Sequence, residues 1–362
     1  MQIRDIPLIS VIIPCFNLEM VIGKCLDSIC SQTYANIEII VVDDGSSDGS
    51  RNAIKNFAVQ DARIKLISQE NKGVGSAYNA GLNVAAGDYI YILDGDNYVD
   101  SDLLEVMYTA MREYGSDVVI CDYYLDKYMS NGEYVTFGSI TYPWSYLKTN
   151  DEIIEAAFDM YRRYILQSPC NKLYKADILS NCFFDEDKDY MMIVDSGFNV
   201  RLLEKINSLV TINTKLVHYV QYDSAIRKQI TSMWRYKYRS QMMFCEKRMY
   251  AYWQKNYLCL SRNVQQGKMQ ELNNYFAGRF IKIAQVLLLD AGLSQQEKNA
   301  EFSNLRQIMV NLIKEKDISY MIYKMMYWLL IKEKKVILTL IYKGGELCAL
   351  CFPKVLRMLK AG

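Results

Sequence analysis

Four short apolar runs recur within the first hundred residues, at Leu8–Ile13, Ile37–Val42, Ile64–Ser68 and Tyr89–Leu93, each separated from the next by a stretch of helical spacing. Short runs rich in β-branched and aromatic residues suit strands buried on both faces. The first is expected to stop at Pro14, which cannot donate to a ladder. Between the runs, Glu19–Ser31 places Val21, Ile22, Cys25, Leu26 and Ile29 on one side. Arg51–Val59 follows a polar turn, and Ser76–Ala86 is closed by Gly87. The β-α-β-α-β-α-β order predicts an α/β fold with a parallel sheet covered on both faces. In such sheets, ligands sit at the carboxyl ends of the strands.

Three of those ends carry polar turns: Pro14-Cys-Phe-Asn17, Asp43-Asp-Gly45 and Asp94-Gly-Asp96. Asp94 and Asp96 stand one residue apart where a strand gives way to a turn, so their carboxylates can converge on a divalent cation carrying phosphate oxygens. Gly95 between them leaves room for a ligand against the backbone. The plainer alternative is a loop whose acids cap the next helix, a task open to Asp100 and Ser101. For Asp44 the alternative is an Asx turn with Gly45. No Gly-x-Gly-x-x-Gly follows the first run, which argues against a dinucleotide site, and Gly73-Val-Gly75 is incomplete and misplaced for one.

At 362 residues, the length fits one large domain with a helical extension or two comparable domains. A formal net charge of +1 argues against general nucleic-acid binding. Ten cysteines scattered from Cys15 to Cys351, beside a single histidine, fit reduced thiols in a cytoplasmic protein better than a zinc site. The first residues lack the apolar core of a signal peptide.

Ser10-Val-Ile-Ile-Pro-Cys-Phe-Asn17, Ile39-Ile-Val-Val-Asp-Asp-Gly-Ser-Ser-Asp48, Glu70-Asn-Lys-Gly73, Asn79-Ala-Gly-Leu82 and Leu93-Asp-Gly-Asp96 follow one another at set intervals. Together they resemble the family 2 nucleotide-sugar glycosyltransferases of GT-A fold, of the bacterial cell-surface polysaccharide type. By that resemblance, Asp44 hydrogen-bonds the uracil of a UDP-sugar, Pro14 and Phe16 line the base pocket, and Asn71 contacts the nucleoside. It also implies that Asp94 meets the ribose or the metal and that Asp96 binds Mn2+ or Mg2+. A planar base does need an apolar wall and a carboxylate to accept from its imide N–H. Ser168-Pro-Cys-Asn-Lys-Leu-Tyr-Lys175 resembles the family's signature ahead of its catalytic helix, which would be Met192–Leu203 here.

Asp195 in that helix stands where the resemblance places the general base, which takes the acceptor hydroxyl's proton while the metal stabilises the departing diphosphate. Taken alone, Asp195 also suits a helix-start charge favoured by the dipole. His218 lies near a position where some members hold a metal, and it would complete a site with Asp96 or be an ordinary packed strand residue. Two departures stand out: Tyr78 replaces a common arginine, and Val194 replaces a glutamate beside the base. A phenol does not replace a guanidinium's charge, so either the metal alone neutralises the diphosphate, Lys72 or another base substitutes, or the donor site is weakened.

Asp117–Tyr124 reads as a further strand, and Ile153–Leu166 as a helix. Tyr142, Trp144 and Tyr146 would either stack on a sugar ring or be exposed aromatics of a β-hairpin. From residue 228, helical patterns take over at Trp234–Tyr252, Met269–Ala291 and Phe302–Lys314. The expected division is a GT-A domain over 1–227 and a helical region over 228–362 that packs, forms a homo-oligomer or associates with a membrane. Ile318–Gly362 holds eight Lys and Arg against two Glu, between apolar blocks of about seven residues. Such blocks are too short to span a bilayer, which takes about 20 apolar residues, yet they suit peripheral contact at the inner face of the plasma membrane. The expected function is metal-dependent, inverting transfer from a UDP-sugar to a surface-glycan or lipid-linked acceptor. The alternative raised by Tyr78 and Val194 is a nucleotide-sugar-binding scaffold partnering an active transferase.

Overall fold

The computed structural model describes residues 6–187, 193–222, 238–258, 260, 262–289, 294–313, 318 and 321–332. The chain divides into two compact units, Met1–Arg235 and Tyr236–Gly362. The boundary expected between 227 and 228 lies outside the described residues.

In the first unit the four apolar runs become parallel strands: β1 (Ile9–Cys15), β2 (Ile37–Asp43), β3 (Ile64–Ser68) and β4 (Tyr89–Ile92), in the spatial order β3-β2-β1-β4. Helices α1 (Ile22–Cys30), α2 (Ser50–Gln60) and α3 (Val74–Val84) connect them. Every residue of β1 and β2 is buried, as strands covered on both faces require. Pro14 does not end β1. It pairs with Val42, and the strand runs on to Cys15. Because β4 pairs with β1 only as far as Ile12, the missing donor at Pro14 interrupts one ladder at most.

The sheet then departs from the all-parallel expectation. The remaining strands are β5 (Tyr98–Val99), β6 (Val118–Tyr128), β7 (Tyr134–Ile140), β8 (Ser145–Leu147), β9 (Lys172–Lys175) and β10 (Leu209–Tyr222). β9 inserts antiparallel between β4 and β6, and β10 runs parallel to β6. The segment 126–150 is not one hairpin, since β7 folds back on β6 while β8 pairs with β10. The covering helices here are α4 (Leu103–Tyr114), α5 (Asn150–Arg162) and α6 (Val194–Leu202). α5 opens on Thr149, whose side chain accepts from the Glu152 N–H and satisfies one orphan donor of the first turn.

The second unit is helical: α7 (Tyr238–Tyr257), α8 (Arg262–Leu289), α9 (Gln295–Leu312) and α10 (Met321–Ile331). α8 packs against the other three, burying Trp253, Phe276, Phe280, Phe302 and Met309. Ser294 and Glu297 form a reciprocal capping box that fixes the start of α9. Among the described residues, no helix is long and apolar enough to cross a membrane. Of the tail's apolar blocks, Met325–Ile331 falls in α10, whereas Val336–Tyr342 and Leu347–Pro353 lie outside the described residues.

Candidate active site

The order β2-β1-β4 sets three carboxyl ends side by side, so the turns after Cys15, Asp43 and Ile92 share one sheet edge. The Asp44 N–H donates to the Cys15 carbonyl at 2.9 Å and the Leu93 N–H to that of Ile12 at 3.0 Å, stitching these turns together. Asp43 is a structural acid: it accepts from the Ser46 N–H at 3.0 Å and from Arg51 Nε at 2.6 Å. Asp44 is also held, though not by an Asx turn. Its Oδ1 accepts from Gln69 Nε2 at 2.7 Å and the Lys72 N–H at 2.9 Å, and its Oδ2 from the Gly73 N–H at 2.8 Å. The carboxylate thus fastens the loop between β3 and α3, which includes the exposed Asn71. Pro14 is buried and Phe16 half-buried at the end of β1.

The Asp94–Asp96 turn is packed more tightly than its sequence suggests. A Cβ on Gly95 would lie 2.8 Å from the Pro14 carbonyl oxygen, so the glycine admits the chain's own backbone and not a ligand. Capping by Asp100 or Ser101 is not observed either, because the N-cap position of α4 is Asp102 and no side chain caps the helix. Asp94 Oδ1 accepts from the Tyr78 hydroxyl, and the Asp94 N–H donates to Cys170 Sγ at 3.3 Å. Tyr78 is itself buried, its ring 4.3 Å from that of Phe184, which stacks 3.9 Å from Phe198 on α6.

Asp195 sits in the first turn of α6. Asn199 ties that turn to the loop before β9, donating to the Gln167 carbonyl at 3.2 Å and the Asp195 carbonyl at 3.1 Å, while its Oδ1 accepts from Tyr174. Beneath it, the buried Lys172 ammonium donates to the carbonyls of Ile165 and Ser168 and to Asn171 Oδ1.

The acids act on one another. Burial, and then repulsion from Asp94, lifts the Asp96 carboxyl to about 7. Burial, and then Asp94, also raises Asp195 far above the ordinary carboxylate range, with Lys172 opposing. Burial raises Asp94 too, against the hydrogen bond from Tyr78. Burial and then Asp94, Asp96 and Asp195 push the Tyr219 hydroxyl up to about 12, so all three carboxylates bear on one point. Asp94 and Asp195 line the same cavity, of about 450 Å³.

Among the described residues, no group of three or more Asp, Glu, His or Cys side chains is arranged to hold a metal ion. His218, expected to join Asp96 at a metal or to be a packed strand residue, has two other acids beside it. His218 Nδ1 lies 2.8 Å from Asp126 and Nε2 3.2 Å from Asp100, and the ring stacks between Tyr98 and Tyr124. Both ring nitrogens are therefore engaged, and the residue is a packed strand position. Asp94 and Asp96 remain a fitting donor set by themselves. Mg2+ is commonly held by one or two carboxylates plus substrate phosphates, and a cation would offset the burial that raises both acids and the repulsion from Asp94 that adds to it at Asp96.

Several lining residues carried no individual mark in the sequence: Tyr123, Tyr164, Gln167, Tyr219 and Gln221. Lys172 stood in a quoted motif without a role, and a lysine inside an otherwise buried strand was its one available signal.

Residues 10–180 match the family model described as Glycosyl transferase family 2. Glycosyltransferase GlyA of Streptococcus pneumoniae is 33% identical over 228 residues, 62% of this chain and 32% of GlyA. The uncharacterized glycosyltransferase EpsJ of Bacillus subtilis is 31% identical over 216 residues, 59% of this chain and 61% of EpsJ. The chain thus matches less than two thirds of the length of either. The crystal structure of S. aureus TarS 1-349 in complex with UDP shares the fold, with a TM-score of 0.67 at 18% identity, covering 93% of this chain and 91% of that one.

Proposed function

Because residues 10–180 match the model of glycosyl transferase family 2, we propose that the chain transfers a sugar from a UDP-sugar to a hydroxyl of a surface-glycan or lipid-linked acceptor, with inversion at the anomeric carbon. The observation that carries this reading is the shared cavity. Asp94, from the strand-end pair, and Asp195, from a helix on another segment, face one space large enough for a sugar. The UDP held by TarS, whose fold is the same, supports the choice of nucleotide.

Asp195 is the general base. In the transfer it takes the proton of the acceptor hydroxyl, the acceptor oxygen bonds to the anomeric carbon, and the bond from that carbon to the diphosphate breaks. A carboxylate raised by burial is a stronger proton acceptor than an exposed one, which suits the task. Asp94 and Asp96 would hold a divalent cation, which when bound supplies positive charge to the departing diphosphate. Tyr78 contributes no charge and instead fixes the rotamer of Asp94. Asp44 uses three acceptor sites on the loop between β3 and α3, and a carboxylate offers about four, leaving one at Oδ2 for the imide N–H of uracil.

The test is a panel of UDP-, dTDP- and GDP-sugars with Mn2+ or Mg2+, read by thermal shift and by release of free nucleotide. Preferential stabilisation by one UDP-sugar, with UDP release, is expected. Binding without any turnover would identify a scaffold, and a preference for GDP-sugars would remove Asp44 as the reader of the base.

A further inference from the structure

The cavity beside Asp195 has a composition of its own. Around the two acids stand the rings of Tyr123, Tyr164 and Tyr219 and the amides of Gln167 and Gln221. Tyr164 is held at φ 66°, a left-handed backbone that a bulky residue rarely adopts, and 60% of it remains exposed. Tyr219 is 40% exposed, whereas Tyr123 is almost fully buried with its ring 6.5 Å from that of Tyr219. Ser168 lies near the Tyr123 hydroxyl, which among the described residues has no hydrogen-bond partner. A buried hydroxyl without a partner is costly, and a ligand hydroxyl would satisfy it.

Among the described residues that line the cavity there is no Lys or Arg, and the nearby Lys172 ammonium is already bonded to three protein oxygens. Among these described groups, an anionic ligand would therefore meet Asp94 and Asp195 with no cation opposite. Even with a divalent ion on Asp94, Asp195 would still repel it.

We infer that this cavity seats an uncharged glycosyl unit of the acceptor, its ring against Tyr164 and Tyr219 and one hydroxyl bonded to Tyr123 Oη, and that it rejects uronic acids and sugar or polyol phosphates at that position. Exposed aromatic faces suit the apolar face of a pyranose, and the two amides suit its hydroxyls. The purpose of such a site rests on the transfer reading, so its test is one of binding, while UDP release from a UDP-sugar reports on transfer separately.

Saturation-transfer NMR on the full chain with UDP and Mg2+ would compare methyl glucoside, methyl galactoside and methyl N-acetylglucosaminide with methyl glucuronide, methyl galacturonide and ribitol 5-phosphate. At least one neutral glycoside is expected to bind about tenfold or more tightly than every anion. Tyr123→Phe, which keeps the ring, is expected to weaken that binding about three- to tenfold, as loss of one hydrogen bond implies. Tyr164→Ala, at an exposed position that core folding does not need, is expected to weaken it at least as much. Equal or tighter binding of an anion, no binding of any neutral glycoside, or unchanged binding by Tyr123→Phe would each overturn the inference.

Discussion

Tyr78 stands where an arginine was expected, and its surroundings explain what a phenol can do there. The side chain is fully buried between Asp94 and Phe184, a position in which a guanidinium would need more acceptors than one carboxylate oxygen offers. Tyr78→Phe removes one donor from a buried carboxylate, and a loss of about 1.5–3 kcal/mol in unfolding free energy is expected by urea denaturation. Asp122 supplies the pH prediction. Burial lifts its carboxyl to about 6 against the Tyr142 N–H and Lys215, and among the described residues its Oδ2 has no hydrogen-bond partner. An unfolded aspartate ionises near 3.9. The fold therefore favours the protonated form, and this contribution to stability is full below about pH 4 and lost as pH rises through about 6. Asp122→Asn is expected to show a smaller fall in melting temperature than the parent between pH 5 and 8. At this scale the sequence revealed where the acids lie but not what they bond to. The partners of Asp44 are the Gln69 side-chain amide and two backbone N–H groups of a distant loop, and those of His218 come from β5's neighbourhood and β6; neither set leaves a local pattern.

The elements that form the site were legible in proportion to their length and apolar content. The four early strands were, because buried parallel strands announce themselves as continuous apolar runs. β9 was not, since it is four residues long and carries two lysines, and β5 has only two residues. β9 is the antiparallel strand that enters the middle of the sheet, between β4 and β6, where a parallel one was expected. Glycines join elements as well as end them. At Gly75 in α3 a Cβ would lie 2.0 Å from the Asp185 carbonyl oxygen, and Asn79 one turn later bonds both the N–H and the carbonyl of Phe184. α3 and the segment 184–185 must therefore meet backbone to backbone. Gly75→Ala is expected to cost about 1–3 kcal/mol of stability, the usual cost of overpacking. It should also lower turnover, because Phe184 packs on Phe198 of the Asp195 helix. Wild-type stability and turnover together would contradict that close approach.

On the scale of the whole molecule, each unit buries its own core, and all the residues assigned to donor and acceptor belong to Met1–Arg235. That unit expressed alone is expected to fold and to keep nucleotide-dependent thermal stabilisation. The change from strand to helical patterns was legible in the sequence, as helical spacing runs on for several turns in α8 and α9. What the helical unit serves was not, since its buried aromatics answer to packing alone. The claim on which everything else depends is that Asp195 acts on an acceptor in the cavity it shares with Asp94. Asp195→Asn tests it most directly, by UDP release and product formation beside calorimetric UDP affinity. The account predicts turnover reduced by at least about a hundredfold, as loss of a general base implies, with UDP affinity within about twofold of the parent. An Asp195→Asn enzyme that turns over like its parent would contradict it.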